Sequence, residues 1–305
     1  MPTRGEGGFA ERLVSRVAAR ESQVVLGLDP DPARLWATAL EPAVAAGSPV
    51  ERAAAAVVAH CRAVIDAAGP ACVAVKPQLA CFERLGAAGW AALTATVAHA
   101  HAGGLLVLAD GKRGDIDVSA AAYAQALVGF TETPFGTVEG LGADAFTANP
   151  YMGRDTLEVL SRGAGGAGAG VFVLVRTSNP GAADIEDLPV AGGGTVWERV
   201  AALVAGLGGG DGPISDIGAV VGATAPEHVG RLRELMPRAP FLLPGVGAQG
   251  GRVEDLAPAF APGRAGGLVT ASRSIVFAHE QAGGDPAAAA RAEAERLREA
   301  AWALA

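Results

Sequence analysis

The sequence predicts an α/β fold, a single (β/α)8 TIM barrel, and three observations carry that prediction. Short apolar runs alternate with helical segments along the whole chain, as expected for strands buried on both faces of a parallel sheet. Eight such runs are present, and eight strand–helix units close into a barrel. Nearly every run stops at a polar or Pro/Gly-rich stretch, which in an α/β fold is where the ligand loops lie. The 305 residues, 50% hydrophobic and 18% charged, suffice for one large core. No shift in composition divides the chain, so residues 1–305 are expected to form one domain.

Phe9–Arg20 reads as an amphipathic helix with Phe9, Leu13, Val14 and Val17 on one face. Val24–Leu28 is the first strand, stopped by Asp29-Pro30-Asp31-Pro32. Glu51–Ala68 is an Ala-rich helix. Ala71–Val75 is the second strand, closed by Lys76-Pro77, since proline cannot continue a central strand. Phe82–Leu85 and Gly89–Ala102 are helical, and Leu105–Ala109 is the third strand. Val118–Leu127 is a helix, with Asp117 as its N-cap. Ala143–Ala148 is the fourth strand, ending at Asn149-Pro150.

Thr156–Ser161 is a short helix, and the low-complexity run 163–170 reads as a flexible connection. Val171–Val175 is the fifth strand, and a polar, Gly-rich loop runs from 181 to 194. Thr195–Leu207 is a helix, followed by a Gly-rich turn at 208–212. Ile217–Val221 is the sixth strand. Thr224 and Pro226 are suited to begin the helix Pro226–Met236. Phe241–Leu243 and Gly267–Thr270 are the seventh and eighth strands, with a short helix from Val253 between them. Pro286–Ala305 is a terminal helix.

The net charge of -8 and pI near 5.2 argue against a general nucleic-acid binder or an anionic-membrane binder. The segment Met1–Arg20 lacks the apolar core of a signal peptide, and no apolar run reaches the length of a membrane span. Cys61, Cys72 and Cys81 contain no C-x-x-C pair and read as free thiols of a reducing cytoplasm. The five histidines form no recognisable ligand set, so no metal site is expected.

Asp29, Lys76, Asp110, Lys112, Asn149, Ser178, Gln249 and Arg273 each lie at or just beyond a predicted strand's C-terminal end. In a barrel these ends converge on one mouth. The glycines of 245–251 allow backbone N–H groups close to an anion, and Arg273 can grip phosphate with paired donors. Gln249 adds an amide on a loop that could close as a lid. Lys76, Asp110, Lys112 and Asp115 should form a network of alternating charge that keeps each group ionised. Asp110 and Lys112, two residues apart on extended backbone, face the same way. A fixed carboxylate beside a lysine disfavours a substrate carboxylate in the ground state, and the lysine can protonate a developing carbanion. That chemistry is decarboxylation without a metal.

The segment Asp110–Ile116, DGKRGDI, resembles the D-x-K-x-x-D-I signature of the orotidine 5'-monophosphate decarboxylase family. VKPQ at Val75, NPYMG at Asn149, TSNPG at Thr177, PGVGAQGG at Pro244 and SRSI at Ser272 extend the resemblance along the barrel, to the longer bacterial subgroup. The resemblance implies conversion of orotidine 5'-monophosphate to uridine 5'-monophosphate and CO2, the last step of de novo UMP synthesis, with no cofactor. It implies that Lys112 protonates C6 and that Asp110 crowds the substrate carboxylate. Lys76 and Asp115 complete the tetrad, and Asp115 reaches the neighbouring subunit's site in a homodimer. Asp29 and Lys76 would hold ribose hydroxyls, Ser119 would cross the interface, Ser178 would meet the pyrimidine edge, and Gln249 and Arg273 would bind the 5'-phosphate. Two alternatives stand beside this reading: a Mg2+-dependent lyase or aldolase acting on sugar phosphates, and a non-catalytic nucleotide-binding barrel. Glu83 and Asp117 are the extra carboxylates nearest the motif that the metal-dependent alternative would use. Arg113 is expected to form an ion pair and Asn149 to stabilise its turn.

Overall fold

The computed structural model describes residues 7–41, 43, 47–209 and 212–305. Eight parallel strands form a closed barrel: β1 (Val24–Leu28), β2 (Ala74–Pro77), β3 (Leu106–Arg113), β6 (Ala145–Ala148), β7 (Gly170–Arg176), β8 (Ile217–Val221), β9 (Phe241–Pro244) and β10 (Gly267–Ala271). β10 pairs back onto β1 through Val24 and Val269, which closes the ring. The two remaining strands, β4 (Phe130–Thr133) and β5 (Gly136–Glu139), form an antiparallel hairpin outside the barrel. Their residues are exposed or nearly so, and no apolar run announces them in the sequence.

The eight barrel strands correspond one for one to the expected runs, and the differences have local causes. β2 begins at Ala74 because Pro70 opens a 3-10 turn, Gly69–Ala71, directly after helix α2 (Pro49–Ala68). It extends through Lys76 to Pro77, whose missing N–H is harmless at a strand's last residue. α2 itself starts earlier than expected. Ser48 caps it, Pro49 is its first residue, and Glu51 completes a capping box, together contributing about 1 kcal/mol.

The helix Arg154–Gly166 runs into the low-complexity segment, so 163–170 is not a flexible connection. Gly163–Gly166 finish the helix and Gly170 opens β7, because Leu157, Leu160 and Ala164 bury one continuous face. Thr224 does not cap a helix. Its hydroxyl donates to the carbonyl of Ser178, Ala225 stands at the cap, and a 3-10 turn Pro226–His228 precedes the short helix Val229–Leu235. Asp117 is likewise not an N-cap. It is the first residue of the helix Asp117–Val128, with φ +41, and Ile116 occupies the cap position. Part of the Gly-rich turn at 208–212, residues 210 and 211, lies outside the described residues, as do residues 1–6.

The first helix, α1 (Phe9–Arg20), closes the N-terminal end of the barrel. Phe9, Leu13 and Val17 are buried, while Val14 is 37% exposed and does not join that face. Phe9 meets Phe172 edge to face at 5.8 Å, and Gly170 has no room for a Cβ beneath the Phe9 ring. Polar groups pin the helix there. The Ala10 N–H donates to Asp216 Oδ1 at 2.6 Å, and Arg12 donates to Asp144 Oδ1 at 3.0 Å. Buried Asp144 also accepts from the Val107 N–H at 2.9 Å and lies 3.0 Å from His101 Nε2. Burial pushes its carboxyl up, but His101, the Val107 N–H and Arg12 outweigh that and hold it below the usual carboxylate range. With its N-terminal end sealed, the barrel opens at the C-terminal ends of its strands.

Cys61 and Cys72 are free and buried, and burial raises each thiol to about 12. Cys81 is free and partly exposed. Among the described residues, no helix is long and apolar enough to cross a membrane.

Candidate active site

A cavity of about 580 Å³ occupies the open end, lined by residues at the ends of β3, β6 and β8 and from the loops after the other five barrel strands. Asp29, Lys76, Asp110, Lys112, Ser178, Gln249 and Arg273 line it, which are seven of the residues singled out from the sequence. Asp115, Ser119 and Asn149 do not.

The floor is built on Asp110. It is 5% exposed and follows the last apolar residue of β3. Its Oδ2 accepts from Lys76 Nζ at 2.6 Å and Gln78 Nε2 at 3.3 Å. Its Oδ1 accepts from Lys112 Nζ at 2.6 Å and from the Thr147 hydroxyl at 2.9 Å. Four donors fill the acceptor capacity of an ionised carboxylate. Burial pushes the Asp110 carboxyl up, yet the two ammonium groups outweigh it and hold the carboxyl far below its ordinary range. Lys76 is nearly as buried. Burial lowers its ammonium's pKa, but Asp110 and then Asp29 more than compensate, and the net shift is upward. Both partners are therefore charged at neutral pH.

Lys112 reaches Asp110 by a route the spacing does not reveal. β3 and β6 pair Ala109 with Phe146 and then Arg113 with Ala148, so two extra residues are accommodated on β3. Lys112 sits in this bulge with φ +47, a left-handed conformation that costs a non-glycine residue energy. Extended alternation does not explain why Asp110 and Lys112 converge; the bulge turns Lys112 back over the carboxylate.

Asp115 does not join the charge network within this chain. β3 ends at Arg113, and Gly114 passes so close to Asn149 that a Cβ would lie 3.0 Å from its carbonyl oxygen. The chain then turns away, and Asp115 Oδ1 accepts the N–H of Ile116 at 2.8 Å. Ser119 is exposed on the first turn of the following helix. Arg113 forms an ion pair with Glu83 and stacks over Tyr123 at 5.6 Å. Asn149 Oδ1 accepts the Tyr151 N–H at 2.9 Å, which stabilises the turn after β6.

The opposite wall comes from the loops after β7, β9 and β10. Ser178 is held by the hydroxyl of Thr224 on its carbonyl, and Gly222 lies so close that a Cβ there would meet Ser178 Cα at 2.7 Å. Arg176 is nearly buried and grips Asp187 through Nε at 2.8 Å and Nη2 at 3.0 Å. Glu186 accepts from both the N–H and the hydroxyl of Thr177 at 2.8 Å. These bonds fix part of the 181–194 loop against the end of β7. Gly245 has φ +102 and stands 3.3 Å, by its missing Cβ, from both Ser178 and Gln249. Gln249 and Arg273 are exposed side chains facing this part of the cavity.

Sequence reasoning missed two polar residues of the floor. Gln78 stands two after Lys76 in the quoted VKPQ segment, on the same face of extended chain. Thr147 lies within an apolar strand pattern, where threonine is an ordinary residue, and nothing in the sequence distinguishes it. Among the described residues, no group of three or more His, Cys, Asp or Glu side chains is placed to hold a metal ion.

Known proteins resemble this chain in sequence and in fold. A curated Rhodopirellula baltica protein named orotidine 5'-phosphate decarboxylase is 42% identical over 286 residues, covering 90% of this chain and 89% of its own. The Haloarcula marismortui protein of the same name is 45% identical over 277 residues, covering 90% and 88%. The solved Leishmania donovani OMP decarboxylase superposes with a TM-score of 0.69 at 32% identity, covering 96% of this chain and 98% of that one. Residues 22–292 match the model of a single family, and the chain belongs to it: the orotidine 5'-phosphate decarboxylase / HUMPS family.

Proposed function

We propose that this protein decarboxylates orotidine 5'-monophosphate to uridine 5'-monophosphate and CO2, the last step of de novo UMP synthesis. The observation that carries the reading is the buried Asp110 carboxylate held between two ammonium groups on the floor of the cavity. A substrate carboxylate directed at Asp110 meets a fixed negative charge that cannot be relieved by protonation, which raises the energy of the ground state. Breaking the bond from C6 to the carboxylate releases CO2 and leaves the electron pair on C6. Lys112 stabilises that pair and delivers its proton to C6.

On this reading Asp29 and Lys76 hold the ribose hydroxyls and Ser178 meets the pyrimidine edge. Gln249 and Arg273 take the 5'-phosphate, as expected for loops after the last two barrel strands. The reaction needs no cofactor. The metal-dependent alternative wants further carboxylates at the mouth, but Glu83 is engaged by Arg113 and neither Glu83 nor Asp117 lines the cavity. The chain acts as one domain in the cytoplasm and as a homodimer, with Asp115 and Ser119 completing the partner's site. Their position outside their own cavity supports that assignment.

The direct test follows the loss of the orotidine nucleotide by absorbance, with and without chelator. Turnover that survives chelation is expected; absence of turnover, or its abolition by chelator, would sink the reading. For the shared site, Lys112→Ala chains mixed with Asp115→Ala chains should rebuild one intact site per heterodimer. A verified heterodimer without recovered activity would count against the shared-site assignment of Asp115.

A further inference from the structure

The bulge in β3 raises a question that the charge network alone does not answer. Lys112 is a β-strand residue with φ +47 and a side chain that is 43% exposed. Neither packing nor glycine-like freedom explains why it stays in a strained conformation. Its backbone N–H donates to Thr147 Oγ1 at 2.8 Å. The same hydroxyl is 2.9 Å from Asp110 Oδ1, and Thr147 is 1% exposed.

The polarity of this pair of bonds is fixed. A backbone N–H can only donate, and an ionised carboxylate can only accept. Thr147 therefore accepts from Lys112 and sends its own proton to Asp110. Asp110 Oδ1 is then tied to Lys112 twice, directly through Nζ and through Thr147 to the backbone nitrogen. The result is a closed ring of three hydrogen bonds across two neighbouring strands. Threonine suits the position, because its branched Cβ restricts χ1 on a strand and its buried hydroxyl cannot turn to water.

We propose that Thr147 is a positioning residue for the reaction: its hydroxyl locks the strained Lys112 backbone and the Asp110 carboxylate into one rigid unit. The inference rests on the reading that Asp110 and Lys112 act on the substrate carboxylate and on C6. It adds that their spacing is set by a residue on the neighbouring strand. Removal of the hydroxyl leaves the Lys112 N–H unpaired and lets residue 112 relax from positive φ. The ammonium then loses its fixed distance from the carboxylate, and small displacements of reacting groups are costly.

The test compares Thr147→Val, Thr147→Ala and Thr147→Ser. Val and Ala should lower kcat by about 10- to 100-fold, the range expected for losing a hydrogen bond to a charged group. KM and the affinity for uridine 5'-monophosphate, which lacks the carboxylate, should stay within about twofold, whereas general loosening of the site would weaken both. Ser keeps the hydroxyl and should restore kcat to within a few-fold of wild type. If Val does not fold, the comparison of Ser with Ala isolates the hydroxyl, since both lack the methyl. A wild-type kcat in a variant without the hydroxyl, or equal losses in Ser and Ala, would overturn the proposal. Absence of turnover in the wild-type protein would instead count against the parent reading.

Discussion

Replacing Asp110 with asparagine removes one charge and almost no volume, so it isolates what that charge does. In the wild type Lys76 is 6% exposed, with its ammonium 2.6 Å from Asp110. Unit charges about 4 Å apart in a medium of effective dielectric 20 attract by about 4 kcal/mol. Breaking a buried pair by removing one partner costs about 3–5 kcal/mol. Lys112 offsets little of this, because its side chain is 43% exposed and simply returns to water. Asp110→Asn should therefore lose about 3 kcal/mol, lowering the melting temperature of a chain this size by about 5 °C at pH 7.

The pH dependence gives the sharper test. In the wild type Asp110 titrates below its unfolded value, so its contribution is present above about pH 4 and is lost as pH falls through the folded value. Lys76 titrates above its unfolded value, so its contribution is present below about pH 10 and is lost as pH rises through the folded value. Wild-type stability from these groups is flat between those limits. In the variant Lys76 stays buried with only the weaker attraction of Asp29 to oppose that burial, so burial dominates and its pKa falls below the unfolded value. The variant then gains stability as pH rises, and the gap to wild type should narrow between about pH 7 and 10. Thermal unfolding of both proteins across that range reads this directly. A melting temperature within about 1 °C of wild type at pH 7, or a gap that stays constant to pH 10, would refute the argument.

Two further outcomes follow from the same geometry. Arg273→Ala should raise KM about 10- to 100-fold with a smaller effect on kcat, as steady-state kinetics would show, because a lost charged hydrogen bond to the phosphate weakens binding; an unchanged KM removes Arg273 from the phosphate site. Asp144→Asn, at the sealed end of the barrel, should lose about 2–3 kcal/mol with kcat unchanged. That deficit should shrink below about pH 4, where the wild-type carboxylate also becomes protonated, and a pH-independent deficit in thermal unfolding would contradict the assignment.

The barrel was legible because its strands are apolar on both faces and so read as continuous runs. The cavity lining was legible for a related reason. Lys76, Asp110, Ser178 and Arg273 interrupt or follow such runs abruptly, and a fold that gathers strand ends gathers them too. The bulge at Lys112 was not legible, since a two-residue slip between β3 and β6 depends on the partner strand and leaves no local pattern. Thr147 was hidden for the same reason, as its role exists only once β6 lies beside that bulge. The hairpin Phe130–Glu139 escaped because it buries almost nothing and so has no hydrophobic periodicity to detect. The 163–170 run was misread because its glycines suggested a linker, while burial of Leu157, Leu160 and Ala164 carries the helix through them.

The central claim is that Lys112 supplies the proton to C6. Lys112→Ala tests it most directly, because the side chain is 43% exposed and the chain should fold without it. Following the orotidine nucleotide by absorbance, the account predicts a folded variant with almost no turnover that still binds uridine 5'-monophosphate. Decarboxylation by that variant at a near wild-type rate would contradict it.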